Sequence, residues 1–220
     1  MLSVGLTGNI ASGKSLVASQ LESLGAVVLD ADRLGHRLIG PMGAAVDEIL
    51  AAFGSDLALP DGGIDRTRLG PIVFGDPGAR SRLNGIVHPR LIEQIRGELA
   101  ALEAAEGRGN QDGVPSPALI AVLDAALIFE LGVADDFDRI VVVTAPDAIR
   151  ETRLAARGLS LEEARERMGS QWPEAEKIRR ADHVIVNDGT AGQLAARVSE
   201  LWTTLTRAAE STTPRKDQTK

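Results

Sequence analysis

The sequence predicts an α/β fold: a parallel five-stranded sheet flanked by helices. Three observations carry that prediction. Residues 8–15 read Gly-Asn-Ile-Ala-Ser-Gly-Lys-Ser, the G-x-x-x-x-G-K-S pattern of a phosphate-binding loop. Five short runs rich in Val, Ile and Leu (residues 2–6, 26–30, 119–124, 139–144 and 183–186) have the character of strands buried on both faces. Segments of helical spacing lie between them, and strands alternating with helices build a doubly wound sheet. The glycine loop, set between the first strand and the first helix, places the chain among P-loop NTPase folds.

The elements follow in chain order. Strand 2–6 runs into the loop, and Leu16-Val17-Ala18-Ser19-Gln20-Leu21 begins a helix expected over residues 14–24. Strand, glycine loop, helix is the order that phosphate binding requires. The glycines let backbone N–H groups close round phosphate oxygens, and the helix start adds partial positive charge. Lys14 reaches the β- and γ-phosphates and the Ser15 hydroxyl can ligate Mg²⁺. Nucleotide contacts are therefore expected from Gly8, Ala11, Ser12, Gly13, Lys14, Ser15 and Leu16. Strand 26–30 leads into Leu29-Asp30-Ala31-Asp32. In extended backbone the two carboxylates share a face, at the strand end where this fold class binds ligands. Such an acid can accept a proton from a hydroxyl or hold Mg²⁺. It can equally cap the helix expected over residues 32–39.

From there to residue 106 no buried strand is evident. Helices are expected over residues 43–53, 66–73, 77–85 and 89–106, so residues 33–106 read as a helical substrate subdomain inserted into the sheet. Residues 107–117 are rich in Gly, Pro and polar side chains and read as a mobile surface loop. The core resumes over 119–147, with strands 119–124 and 139–144. Helices over 146–157, 161–169 and 174–181 follow. Strand 183–186 and a helix over 191–206 close a single domain of residues 1–206, whose core is 1–32, 119–147 and 178–206. The polar tail, residues 207–220, is expected to be disordered. Arg150, Arg153 and Arg157 recur at spacings that share one helical face. Their planar forks suit phosphate oxygens or an adenine face. A solvated basic face is the alternative, and it suits Arg150 best.

Composition narrows the function. The chain has 220 residues, 44% of them hydrophobic, enough for a sizeable core. A net charge of −7 argues against a general nucleic-acid binder, so the positive charge that meets phosphate must be local. Absence of cysteine excludes disulfides, thiol catalysis and zinc-thiolate sites, and is compatible with a reducing cytoplasm. No run has transmembrane length and no secretory leader is visible. A cytoplasmic protein with no membrane or nucleic-acid partner is expected, as a monomer, with a small homo-oligomer as the alternative.

Beyond the phosphate loop and Leu29-Asp30-Ala31-Asp32, four later segments complete a pattern. They are Leu83-Asn84-Gly85-Ile86-Val87-His88-Pro89; Ala126-Leu127-Ile128-Phe129-Glu130; Gln171-Trp172-Pro173 followed by Lys177; and Ala181-Asp182-His183-Val184-Ile185-Val186-Asn187-Asp188-Gly189. In order and spacing the chain resembles the dephospho-CoA kinase family across residues 1–205. The resemblance implies phosphorylation of the ribose 3′-hydroxyl of dephospho-CoA by ATP and Mg²⁺, the last step of coenzyme A biosynthesis. It implies that Asp32 activates the hydroxyl, that Ser15 and Asp32 hold the metal, that residues 148–177 form a helical lid, and that Arg153 and Arg157 are lid arginines. Arg157 would join Lys14 in neutralising the transferred phosphate. Asn187 would lie in a loop against adenine, and His88 in the region that receives dephospho-CoA. Glu130 would contact substrate or order metal-bound water, or else serve as a first-turn helix acid. One residue departs from the family: Ala126 stands where it has proline, which frees φ and restores a backbone N–H. Trp172 and Trp202 read as packing residues. The alternative reading is another small-molecule P-loop kinase, acting on a nucleoside, nucleotide, shikimate or gluconate. A non-catalytic nucleotide module is disfavoured by intact Lys14, Ser15 and Asp32. A regulatory GTPase is excluded because no Asn-Lys-x-Asp segment occurs.

Overall fold

The computed structural model describes residues 1–109, 118–169 and 171–211. Five strands, β1 (Leu2–Thr7), β2 (Val27–Asp30), β3 (Ile120–Asp124), β4 (Arg139–Thr144) and β5 (His183–Val186), form a parallel sheet in the order β2-β3-β1-β4-β5. The helices are α1 (Lys14–Ser23), α2 (Ala31–Ile39), α3 (Val46–Phe53), α4 (Arg66–Gly75), α5 (Pro77–Gly109), α6 (Asp147–Ala155), α7 (Leu161–Gly169), α8 (Glu174–Arg179) and α9 (Ala191–Ser211). The chain divides into two compact units, Met1–Leu29 with Leu99–Lys220, and Asp30–Glu98. The expected boundaries of the helical subdomain were 33 and 106.

In the first unit β1 is central and buried along its whole length. Val4 stands between Val122 of β3 and Arg139 of β4. Strand order turns from one direction to the other at β1, so its carboxyl end is the topological switch point where such sheets bind ligands. The phosphate loop leaves β1 there. Leu2, Val4 and Leu6 share a core with Val17 and Leu21 of α1, Val141 and Val143 of β4, and Leu194, Val198, Leu201 and Leu205 of α9. The other face closes tightly over Gly5, where a Cβ would come within 2.8 Å of the Ile140 side chain. Aspartates just before β4 and β5 tie the starts of neighbouring strands together. Asp138 Oδ2 accepts Ser3 N at 2.8 Å, and Asp182 Oδ2 accepts Ile140 N at 2.7 Å. The Asp of the Ala181-Asp182 segment thus ties the start of β4 to the chain entering β5.

The second unit has its own core of Leu38, Val46, Ile49, Leu57, Ile64, Leu69, Val73 and Ile86. Asp65 caps α4 through Thr67 N and Arg68 N. Among the described residues no helix is long and apolar enough to cross a membrane.

Three expectations need correction. The helices expected over 77–85 and 89–106 are one helix, α5, with Pro89 inside it. Proline removes one intrahelical hydrogen bond and crowds the preceding turn. Two things outweigh this cost. Ile86, Val87 and Leu91, on both sides of Pro89, pack into the same core. Arg90 also donates to Ile86 O at 2.7 Å and Ala44 O at 3.0 Å. Residues 107–109 of the expected loop are the end of this helix, and residues 110–117 lie outside the described ones. Last, α9 runs five residues into the expected tail, because Ala209 continues the buried spacing of Leu194, Val198, Leu201 and Leu205. The rest of that tail, 212–220, is outside the described residues.

Candidate active site

Sterics shape the phosphate loop first. A Cβ on Gly8 would lie 2.3 Å from Val143 O, and one on Gly13 would lie 2.1 Å from Asn187 Nδ2. Gly13 also sits at φ 98, and Ala11 adopts φ 62, a left-handed conformation that costs an alanine energy. Gly13 caps α1 without a side-chain acceptor and the first turn carries no acid. The positive end of α1 is therefore left for an anion. Leu16 N turns back to Gly13 O at 3.0 Å, and the Ser15 and Leu16 side chains are exposed.

Side chains from α6 and from the segment after β5 hold the loop from outside. Arg150 Nε donates to Ile10 O at 3.0 Å. Arg153 Nη1 donates to Ala11 O at 2.9 Å and to Ser12 O at 3.1 Å. Asn187 Nδ2 donates to Ser12 O at 2.8 Å, and Asn187 O in turn accepts Arg153 Nη2 at 3.2 Å. Three successive carbonyls are thus drawn outward. Because each peptide is planar, this fixes the direction of the N–H groups that follow them. Gln171 Oε1 accepts Ile10 N at 2.7 Å, and Asn9 Nδ2 donates to Trp172 O at 3.3 Å.

The three arginines on the expected common face differ. Arg150, expected to suit a solvated face, is 3% exposed, because Ile10 O, Asp147 (3.0 Å) and Glu174 (3.8 Å) give the guanidinium partners. Arg153 lies against the loop carbonyls. Arg157 is exposed beyond α6, in a turn closed by Leu159 N on Leu154 O around Gly158 at φ 87. Its side chain makes no hydrogen bond or ion pair among the described residues.

Lys14 forms an ion pair with Asp124, the last residue of β3, and both side chains are largely buried. Asp124 is a site residue that the sequence reading missed. Its signal was present, as an apolar strand ending in a carboxylate. Glu130 lies beyond β3, and its Oε1 accepts Lys177 Nζ at 2.9 Å and Trp172 N at 3.4 Å. Trp172 stacks on Phe129 at 5.9 Å between centroids, with the Arg180 guanidinium 5.2 Å from its ring. Trp202 is half-buried beside the sheet core.

The first unit therefore brings together Gly8, Ala11, Ser12, Gly13, Lys14, Arg153 and Asn187. Asp32 and His88 belong to the second unit. There Asp30 is used as a cap, its Oδ1 accepting Arg33 N at 3.1 Å, while Asp32 is exposed in the first turn of α2. His88 is half-buried in α5, and burial pushes its imidazole below the ordinary histidine range. The sign follows from linkage. As pH falls through the ordinary value toward the lowered one, the unfolded chain takes up a proton that the folded chain refuses. Stability should therefore drop with acid in that window. Thermal unfolding between about pH 7.5 and 5.5 should show a smaller drop in His88→Gln. An unchanged pH profile in the variant would contradict the assignment.

Among the described residues no group of three or more His, Cys, Asp or Glu could hold a metal by itself.

Comparison with known proteins shows the family. The sequence pattern of the dephospho-CoA kinase family matches residues 2–193. The chain is 46% identical to the dephospho-CoA kinase of Geobacter sulfurreducens over 200 residues, covering 90% of this chain and 96% of that one. It is 42% identical to that of Thermobifida fusca over 212 residues, covering 96% and 100%. Among solved structures, TT1252 from Thermus thermophilus superposes with a TM-score of 0.71 at 33% identity, over 93% of this chain and 97% of that one. Dephospho-CoA kinase from Campylobacter jejuni shares the fold, with a TM-score of 0.70 at 24% identity over 94% and 98%.

Proposed function

The chain belongs to the dephospho-CoA kinase family and so converts dephospho-CoA to coenzyme A with ATP as phosphate donor, and we propose how its residues divide that task. The observation that carries the proposal is the phosphate loop itself. Its carbonyls from Ile10 to Ser12 are held outward by Arg150, Arg153 and Asn187, at the carboxyl end of the central strand.

Loop N–H groups and the start of α1 take the β- and γ-phosphates. Lys14 neutralises charge on the transferred group, which in phosphoryl transfer spreads over its outer oxygens. Arg153 and Asn187 border the loop on the nucleotide side, and Arg157 is the free lid guanidinium that closes on phosphate. Mg²⁺ fits this donor set. It binds through one or two protein oxygens plus phosphates rather than through a cage of protein ligands. The Ser15 hydroxyl and the Asp124 carboxylate are oxygens of that kind. Held there with ATP, Mg²⁺ would supply neutralisation of phosphate charge.

Asp32 enters from the sequence: it follows β2, matches the family's acid and is exposed. It accepts the proton of the attacking 3′-hydroxyl, leaving Asp30 to cap α2. Residues around His88 in the second unit receive dephospho-CoA. Glu130 acts through its hold on Lys177 and Trp172.

An acceptor panel tests the proposal. With ATP and Mg²⁺, dephospho-CoA should yield ADP and coenzyme A in equal amounts, while shikimate, gluconate and nucleosides yield no ADP above the blank. Faster turnover of any of those acceptors than of dephospho-CoA would overturn it.

A further inference from the structure

Gln171 has no part in the mechanism above, yet it touches the phosphate loop. We infer that Gln171 is a positioning residue: anchored by the buried Lys177–Glu130 pair, it sets the phosphate loop in its ATP-binding shape. The inference rests on the kinase reading and adds to it a residue that acts through the Ile10 backbone.

The anchor is built from the inside outward. Lys177 is fully buried, a position an ammonium occupies only when it is paired and hydrogen-bonded. Its Nζ lies 2.9 Å from Glu130 Oε1 and donates to Ala126 O at 3.2 Å. Ala126 O also accepts Thr7 Oγ1 at 3.1 Å, and Thr7 is the last residue of β1, immediately before Gly8. The same Glu130 oxygen accepts Trp172 N at 3.4 Å. One buried network thus joins the end of β1, the segment after β3 and the backbone at residue 172. Packing of Trp172 against Phe129 and Arg180 adds to this hold.

From this fixed point Gln171 reaches the loop. Its Oε1 accepts Ile10 N at 2.7 Å, while Arg150 Nε takes Ile10 O at 3.0 Å. Both polar groups of Ile10 are therefore held by side chains. The next residue is Ala11, at φ 62. An alanine keeps that conformation only when its surroundings impose it. Without the Gln171 acceptor the loop relaxes from this shape for part of the time, and apparent ATP affinity falls by the fraction lost.

Two substitutions in the full chain separate positioning from bulk. Gln171→Met keeps the size and removes the acceptor, and Gln171→Glu keeps an acceptor. ATP binding is read by calorimetric titration in Mg²⁺, amide hydrogen exchange over residues 8–13 by mass spectrometry, and turnover by coenzyme A formation. For Gln171→Met the ATP dissociation constant should rise about tenfold, with faster loop exchange. The KM for ATP should rise in step, and turnover at saturating ATP should stay within about twofold. Gln171→Glu should recover most of the affinity and the loop protection. Parental ATP affinity in Gln171→Met, or equal losses in both variants, would overturn the inference. Failure of the kinase reading would appear separately, as no coenzyme A from the parent enzyme.

Discussion

Lys14→Ala should lower turnover with saturating ATP and dephospho-CoA by about 10³-fold or more, while the protein stays folded. The size follows from what the side chain does. Phosphoryl transfer needs little covalent help from the protein, so most of the acceleration comes from placement and charge neutralisation. Lys14 stands at the start of α1 with its ammonium against Asp124, and both side chains are largely buried. Low local polarity makes that charge worth more than in water. Removing it takes away a positive charge where negative charge accumulates, and leaves Asp124 without this cation. Some loss of stability is therefore expected alongside the loss of rate, and thermal unfolding measures the two separately. A variant that keeps more than a tenth of parental turnover would remove Lys14 from the mechanism.

Asp32→Asn should lower turnover by about 10²- to 10⁴-fold, the usual contribution of a positioned general base. The amide matches the carboxylate in shape but takes up a proton far less readily. Asp32 is exposed in the first turn of α2, so the folded state loses only a favourable helix-dipole charge, about 0.3–1 kcal/mol. Rate and stability thus part company in this variant. Asp30→Asn is the matched control. Asn caps helices as well as Asp, the bond from Arg33 N is retained, and turnover should hold. Near-parental turnover in Asp32→Asn, or a larger loss in Asp30→Asn, would reassign the base.

The sequence carried most of the scaffold, for identifiable reasons. β4, β5 and α7 occupy the residues read from their apolar spacing, because each is a short element with clear turn chemistry at its ends. Glycines 8 and 13 were legible because close backbone approach and positive φ leave no other residue type there. What was not legible depended on partners far away in sequence. Arg150 reads as a surface residue until Ile10 O, 140 residues away, is seen to accept its hydrogen bond. Asp124 gains meaning from Lys14, 110 residues earlier. Gln171 gains it from Ile10. Pro89 reads as a break because local rules end a helix there, whereas packing on both sides carries α5 through. The end of α9 was readable and missed: Ala209 simply extends the buried spacing.

Isotope transfer from γ-labelled ATP to dephospho-CoA follows the transferred phosphate itself. If the loop holds ATP with its terminal phosphate in line with the ribose hydroxyl, one label is found per coenzyme A formed, in a monoester at the 3′ position. Label recovered as inorganic phosphate without coenzyme A, or on any other hydroxyl of the acceptor, would contradict it.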